Sequence, residues 1–410
     1  MTSKERVQTT LAHEEPDRVP AWTFVDPNIR QAVLGRRSGI DHSVRRMAAN
    51  AEVGGQARKA LIEDTAMEIV DLAALVGLDM VDVGQACLLS KVTVLWDDMF
   101  MINADVFDVT IEELRDNCWR ISCPEDFWCV YEYVPANAIG YVVTDSIKER
   151  GIAEFERYIE YLEARVTQSL TKETLEGLGG IRLALDSRKG RDLFLLGYAD
   201  VVGHPLTMPF YPLFLEAMIT RGDLIERYVE VTTEGVMPVL RAQLEMGVDG
   251  VMGAVDFCYK TGPIFSPECF ERFYAPHLRR IVEECHRYGV PFIKHLDGNT
   301  TSLLKILVES VGIDGYHAIE PGAGMDIGRM KREYGDRITL VGNVDCGPTL
   351  TLGSQADVRH EVKDVLRTAA AGGGFILSTS NAVHAGVPVE NFMAMMAAGR
   401  EFGRYPILDC

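Results

Sequence analysis

Four apolar runs in the second half of the chain each break off into the same kinds of polar residue, and this pattern restricts the fold more than any other feature. Pro291-Phe292-Ile293-Lys294-His295-Leu296-Asp297-Gly298-Asn299 passes from a buried-strand pattern into His, Asp and Asn. Gly315-Tyr316-His317-Ala318-Ile319-Glu320 ends in a carboxylate, and Ile338-Thr339-Leu340-Val341-Gly342-Asn343-Val344-Asp345 ends in Asn and Asp. Phe375-Ile376-Leu377-Ser378-Thr379-Ser380-Asn381 ends in hydroxyls and an amide, with His384 just beyond. Polar groups that recur at the carboxyl ends of buried parallel strands mark the active face of an α/β barrel. Buried without partners they would each cost several kcal/mol, so they are expected to gather around a ligand, a metal or one another.

Upstream, the periodicity alternates between strand and helix. Lys4–Leu11 is an amphipathic helix that ends before Pro16, and Arg18–Phe24 is a first strand. A helical tract over 42–76 stops at Gly77, and Leu78–Val83 is a second strand. Over about 85–150 the composition turns β-branched and aromatic. Val92–Trp96 and Trp128–Val134 are predicted to be antiparallel strands of an insertion. Helices at 152–168 and 171–178 precede strand 192–197. Helices 211–220 and 222–246 precede strand 247–254, which has Asp256 at its carboxyl end. Helix 267–288 leads to strand 291–296. Strands 315–319, 338–343 and 374–379 then alternate with helices 325–334, 355–371 and 388–402.

About eight such units predict a (β/α)8 TIM-type barrel with an amino-terminal helical extension and an inserted β-rich segment. The expectation is a single barrel domain over 1–410, with the insertion at about 85–150. An open doubly wound sheet is the competing α/β architecture. It lacks support because no GxGxxG follows the first strand. Gly372-Gly373-Gly374 is most simply a helix stop, with a phosphate cradle as the alternative.

Composition removes several function classes. The formal charge of −19, without a Lys/Arg cluster, argues against nucleic acid as a partner. The short pairs Arg36-Arg37, Arg45-Arg46 and Arg279-Arg280 are expected to be solvated surface. No apolar run approaches the roughly 18–20 residues of a membrane span. The first residues lack the apolar core of a signal peptide, so a cytoplasmic protein is expected. The 9 cysteines show no CxxC spacing and are expected to be reduced thiols.

Several of these segments together resemble the uroporphyrinogen decarboxylase superfamily. They are Lys4-Glu5-Arg6-Val7 with Pro16-Asp17-Arg18-Val19-Pro20, Gly247-Val248-Asp249-Gly250 and Ser266-Pro267-Glu268. His295-Leu296-Asp297-Gly298-Asn299, Gly342-Asn343-Val344-Asp345, Gly373–Leu377 and Pro388–Asn391 with Ala394-Met395 complete the set. The resemblance spans nearly the whole chain and is weakest over 85–190. It implies a barrel with one of two chemistries: decarboxylation of a porphyrinogen, or methyl transfer involving a corrinoid, usually with zinc. Where the decarboxylases carry Met-Arg-Gln-Ala-Gly-Arg, this chain has Phe24-Val25-Asp26-Pro27-Asn28-Ile29-Arg30-Gln31. Paired guanidinium forks for substrate carboxylates are therefore missing. The thiol-activating zinc methyltransferases carry His-x-Cys and a second Cys. Here His295 matches the His, Asp297 stands at the first Cys position, and Asn381 falls near the second.

The resemblance thus implies an oxygen-rich zinc site with His295 and Asp297 as ligands, joined by Glu320 or, alternatively, Asp256, and suited to polarising an ether oxygen. The expected activity is that of an O-demethylase methyltransferase component. It passes a methyl group from an O-methyl donor, a methoxylated aromatic above all, to a separate corrinoid protein. The chain lacks the Asp-x-His-x-x-Gly signature of a corrinoid module, so the corrinoid would be carried by that partner. A homodimer is compatible with the sequence. Expected catalytic residues are His295, Asp297, Asn381 and Asp256; a protonated His or Asp would serve as general acid in a metal-free version. Expected substrate contacts are Asn343, Asp345, His384, Tyr259 and Trp22, with His317 a weaker candidate and Phe24 an apolar wall beside Trp22. Each has a plainer reading: a core histidine, a turn carboxylate before Gly298, a loop role for Glu320 before Pro321, or simple packing for Trp22. The alternatives to methyl transfer are a decarboxylase and a non-catalytic tetrapyrrole- or corrinoid-binding protein.

Overall fold

β-branched and apolar runs of two to seven residues supply the strands, and amphipathic tracts between them supply the helices. The computed structural model describes residues 1–35, 56–83, 110–134, 139–166, 178–187 and 192–407. In chain order the strands are β1 (Met80–Asp82), β2 (Thr110–Arg115), β3 (Cys118–Ser122), β4 (Trp128–Val134), β5 (Ile139–Asp145), β6 (Phe194–Tyr198) and β7 (Gly250–Gly253). They continue as β8 (Cys258–Tyr259), β9 (Gly262–Pro263), β10 (Phe292–His295), β11 (Gly315–His317), β12 (Thr339–Val344) and β13 (Phe375–Thr379).

Seven strands form one parallel sheet in the order β1-β6-β7-β10-β11-β12-β13. The extended segment that follows the first helix lies between the two edges of this sheet. Ala21 bridges Leu377 and Val25 bridges Val383, both in parallel sense. On the other side, Asp79 N–H donates to the Ala21 carbonyl at 2.8 Å. This segment is the eighth stave, and the fold is a TIM-type barrel. Its lumen is filled by side chains from successive staves: Trp22, Met80, Phe194, Leu196, Met252, Ile293, Val341 and Ile376 form one buried apolar cluster with Val7. A lumen packed in this way is a core, not a pore.

The helix Ser3–Leu11 plugs the amino-terminal end. Thr2 and Glu5 form a capping box at its start, and Val7 points into the lumen cluster. Asp79, fully buried before β1, accepts from Arg6 Nη1 at 2.7 Å, from Arg18 Nη1 and Nη2 at 2.7 and 2.8 Å, from Ser3 Oγ at 2.7 Å and from the Ala21 amide at 3.0 Å. Arg6 also grips Asp17, whose carboxyl it holds down at about 2. Lys4 pairs with Asp249 before β7, and Asp249 accepts from Leu195 N. The amino-terminal segments that carried the family resemblance therefore fasten the end of the barrel opposite the polar strand ends.

The insertion is a separate antiparallel sheet in the order β2-β3-β4-β5. The segment Val92–Trp96 lies outside the described residues, as do Arg36-Arg37, Arg45-Arg46, 42–55 of the second helical tract and 171–177. Three elements depart from the sequence pattern, the first for a local reason. The predicted helix 267–288 divides at Tyr274 into Pro267–Phe273 and Ala275–Arg287, because Pro276 has no N–H to continue the ladder. A helix at Gly179–Ser187 follows the expected 171–178, and a wide turn at Ile306–Val311 lies between β10 and β11, where no helix was read. Gly372-Gly373-Gly374 is a helix stop: all three have positive φ, and a Cβ on Gly373 would lie 2.6 Å from the Glu14 carbonyl oxygen.

Candidate active site

β10 delivers the first group. Its alternation places Ile293 in the lumen and His295 one step above it, at the carboxyl-terminal mouth. The strand then turns at Gly298, where φ is +81° and a Cβ would stand 2.4 Å from the Tyr259 carbonyl oxygen, so only glycine fits. That turn projects Asp297 beside His295. The loop after β7 brings Asp256 to the same place, and its Oδ1 accepts from the Asp297 amide at 3.0 Å. From the opposite side, past β13, Asn381 Nδ2 donates to Asp297 Oδ2 at 2.8 Å.

One ligand atom from each of Asp256, His295 and Asp297 lies within 4.8 Å of the others. Oδ1 of Asp297 is buried without a hydrogen-bond partner, and His295 Nε2 stands 3.4 Å away. Burial pushes the Asp297 carboxyl above the usual carboxylate range; His295 pulls it down, Asp256 raises it, the Asn381 hydrogen bond lowers it and Glu320 raises it. Two close carboxylates and an imidazole around an unsatisfied oxygen form a donor set that a cation would complete.

The walls are aromatic and hydroxylic. Phe24 meets the His295 ring edge-on at 5.4 Å, and Trp22 meets His317 at 5.1 Å. Trp22 is itself part of the lumen packing. Parallel register sets His317 of β11 opposite His295. Their Nδ1 atoms are 2.7 Å apart, and His317 Nε2 faces the Thr379 carbonyl at 3.0 Å and Ser378 Oγ at 3.2 Å. Burial, then His295, drive the His317 pKa well down. Thr23 and Thr379 hydroxyls bond at 2.5 Å across the closing seam. Ser378 belongs to the hydroxyl cluster that the sequence marks at a strand end; Thr23 and the weight of His317 are not marked there. Their signal was the alternation that turns 293, 295 and 317 toward one side.

The remaining expected residues are placed differently. Glu320 accepts from the Gly298 amide at 3.0 Å and lies 3.6 Å from Lys260 Nζ, so its carboxylate supports the turn that carries Asp297. Asn343 Nδ2 holds the Ile319 carbonyl at 3.0 Å, while its Oδ1 is buried without a partner. Asp345 caps its own turn through Gly347 N at 2.7 Å. His384, exposed, bonds Thr351 Oγ1 at 3.2 Å and the Gly386 amide at 3.1 Å. Tyr259 contributes its carbonyl to Asn299 N, and its side chain is exposed. The described cysteines, Cys118, Cys123, Cys129, Cys258, Cys269, Cys285 and Cys346, are all free thiols, and burial pushes Cys123 to about 11 and Cys129 to about 12.

Comparisons with known proteins bear on this geometry. Residues 203–402 match the family model described as uroporphyrinogen decarboxylase (URO-D). A uroporphyrinogen decarboxylase of Coxiella burnetii is 26% identical over 223 residues, covering 51% of this chain and 58% of that protein. A methylcobamide:CoM methyltransferase of Methanosarcina barkeri is 26% identical over 189 residues, covering 46% of this chain and 52% of that one. The chain thus spans a little over half the length of these curated relatives. A solved methyltransferase from Methanosarcina mazei superposes over 98% of this chain and 99% of its own, with a TM-score of 0.63 and 20% identity, a likeness of fold. No helix among the described residues is long and apolar enough to cross a membrane.

Proposed function

From the match of residues 203–402 to the uroporphyrinogen decarboxylase family model, we propose that the chain is a single barrel domain of that superfamily with an inserted sheet, and that it works as a corrinoid-dependent methyltransferase. Its reaction moves a methyl group from an O-methyl donor, such as a methoxylated aromatic, to a separate corrinoid protein. The observation that carries this reading is the Asp256–His295–Asp297 cluster, with Asp297 Oδ1 buried and unsatisfied at its centre. His295 Nε2 and the two carboxylates would hold zinc. When bound, zinc supplies a Lewis acid that withdraws electron density from the oxygen of the bond being broken.

The chain's own residues supply the rest. Asn381 fixes Asp297 by holding Oδ2, which leaves Oδ1 turned toward His295. Glu320 anchors the Gly298 amide and so the position of the whole turn. Phe24, half-buried at the mouth, offers an apolar wall against which an aromatic donor can lie, with Trp22 packed behind it. An ether is a poor leaving group, so the oxygen must receive positive charge or a proton as the methyl departs. Zinc would supply that charge; in a metal-free version Asp297, whose carboxyl burial pushes above the usual range, is placed to supply the proton instead.

A decarboxylase of the porphyrinogen type needs guanidinium forks at the mouth. Arg30, in the stretch where the decarboxylases carry such arginines, is buried: its Nε donates to the Val25 carbonyl at 2.8 Å, and its Nη1 pairs with Glu68 at 3.9 Å. The test is direct. The protein is mixed with a cobalt(I) corrinoid protein and a panel of methoxylated aromatics, and methylcobalt absorbance is followed. Its appearance, and its loss in His295→Ala and Asp297→Ala, is expected. Carbon dioxide release without corrinoid would point to the decarboxylase, and tight pigment binding without turnover to a carrier.

A further inference from the structure

His317 takes no part in the reaction as proposed, yet it is completely buried against a residue that does. Its three polar contacts determine where hydrogens lie. The Thr379 carbonyl at 3.0 Å only accepts, so His317 Nε2 carries a hydrogen, which Ser378 Oγ at 3.2 Å can share. The two Nδ1 atoms at 2.7 Å need one hydrogen between them: two would collide, and none would press lone pair against lone pair. None of these three neighbours is a carboxylate that would hold a second hydrogen on the His317 ring. With its hydrogen on Nε2, His317 presents a lone pair at Nδ1, and the shared hydrogen belongs to His295. His295 then has a bare Nε2, the atom that faces Asp297.

We infer that His317 is a positioning residue: by accepting from His295 Nδ1–H it holds that ring in the tautomer whose Nε2 lone pair is turned to Asp297 and Asp256. The choice is contested. Asp297 Oδ1, 3.4 Å from Nε2, would draw the hydrogen onto Nε2 and make His295 a donor, useless as a cation ligand. His317, held on its far side by Thr379 and Ser378, decides the competition. Metal-ligating histidines commonly have such a partner on the second nitrogen, more often a carboxylate or carbonyl. Here a second imidazole does the work and adds no negative charge to a mouth already crowded with carboxylates.

The test reads tautomers in the metal-free full chain labelled with nitrogen-15 histidine, using ring-nitrogen correlation spectra, with the His295 signals assigned by their loss in His295→Gln. The Nδ1–H pattern is expected for His295. His317→Leu should convert it to Nε2–H and weaken zinc binding by about 10–100-fold. His317→Asn, whose amide oxygen can stand where Nδ1 was, should restore both toward wild type. An Nε2–H pattern in the wild-type protein overturns the inference, as does a His317→Leu protein with unchanged pattern and zinc affinity. Where the Leu variant does not fold, the wild-type spectrum and the Asn variant decide. The inference rests on the cation reading only for its affinity measurement: an Nδ1–H pattern in a protein that binds no zinc would support the tautomer assignment and sink the metal.

Discussion

Asn381 donates to Asp297 at 2.8 Å although 84 positions separate them. The bond ties the loop after β13 to the turn after β10, and it sets which carboxylate oxygen is left to face His295. A side chain placed in this way acts on whatever Asp297 binds.

Replacing Asn381 by Ala is therefore expected to weaken zinc binding by about 10–100-fold, with little loss of metal-free stability because Asp297 can take up a proton instead. Asn381→Asp should lower the melting temperature without metal, by setting a second carboxylate against Asp297, and recover it when zinc is added. Calorimetric zinc titration and melting curves check both.

Zinc itself should stabilise the folded chain. At a free concentration about 100 times its Kd, the gain is about 2.7 kcal/mol if the unfolded chain does not bind it. Asp297→Ala should show no such gain. Thermal melts with zinc and with a chelator distinguish the two, and an unshifted wild-type melt would count against the metal.

At the other end of the barrel, Asp79→Asn should cost about 3–5 kcal/mol, because Arg6 and Arg18 would be left without a buried counter-charge. Methyl transfer per folded molecule should not change. Urea unfolding alongside the corrinoid assay measures this separation.

Lys294 and Asp200 form a completely buried ion pair at 2.5 Å, one residue before His295. Lys294→Met should destabilise by about 3–5 kcal/mol. Lys294→Met combined with Asp200→Asn should cost less than the two single changes added together, as a double-mutant cycle in urea would show.

His204 is enclosed by Tyr274 Oη at 3.1 Å and Tyr211 Oη at 3.2 Å, and burial, with a smaller push from Lys294, lowers its pKa to about 3. Between 6.5 and about 3 the unfolded chain binds a proton here that the folded chain refuses. Stability is therefore lost as pH falls through that window, by up to about 1.4 kcal/mol per pH unit. His317 acts in the same direction. His204→Gln should flatten the slope of unfolding free energy between pH 6.5 and 5.

Much of this was legible because strands write simply. A buried parallel strand is apolar until it leaves the barrel, so the change to His, Asp or Asn at 295, 297 and 381 marked the mouth. Two kinds of residue were not readable. Asp345 and His384 sit past strand ends as well, but their side chains close their own turns, which spacing alone does not reveal. His317 resembled any strand histidine. Its importance lies in the register that sets it against His295, and register belongs to pairs of strands.

The hydroxyl bond between Thr23 and Thr379 joins positions 356 residues apart. On a ribosome adding roughly 5–20 residues per second, the amino-terminal stave would wait about 20–70 s for its neighbour. Through that interval Trp22 has no finished lumen to enter. Overproduction should therefore be limited by chaperone supply during synthesis, and slower-growing hosts should return more of the chain in usable form.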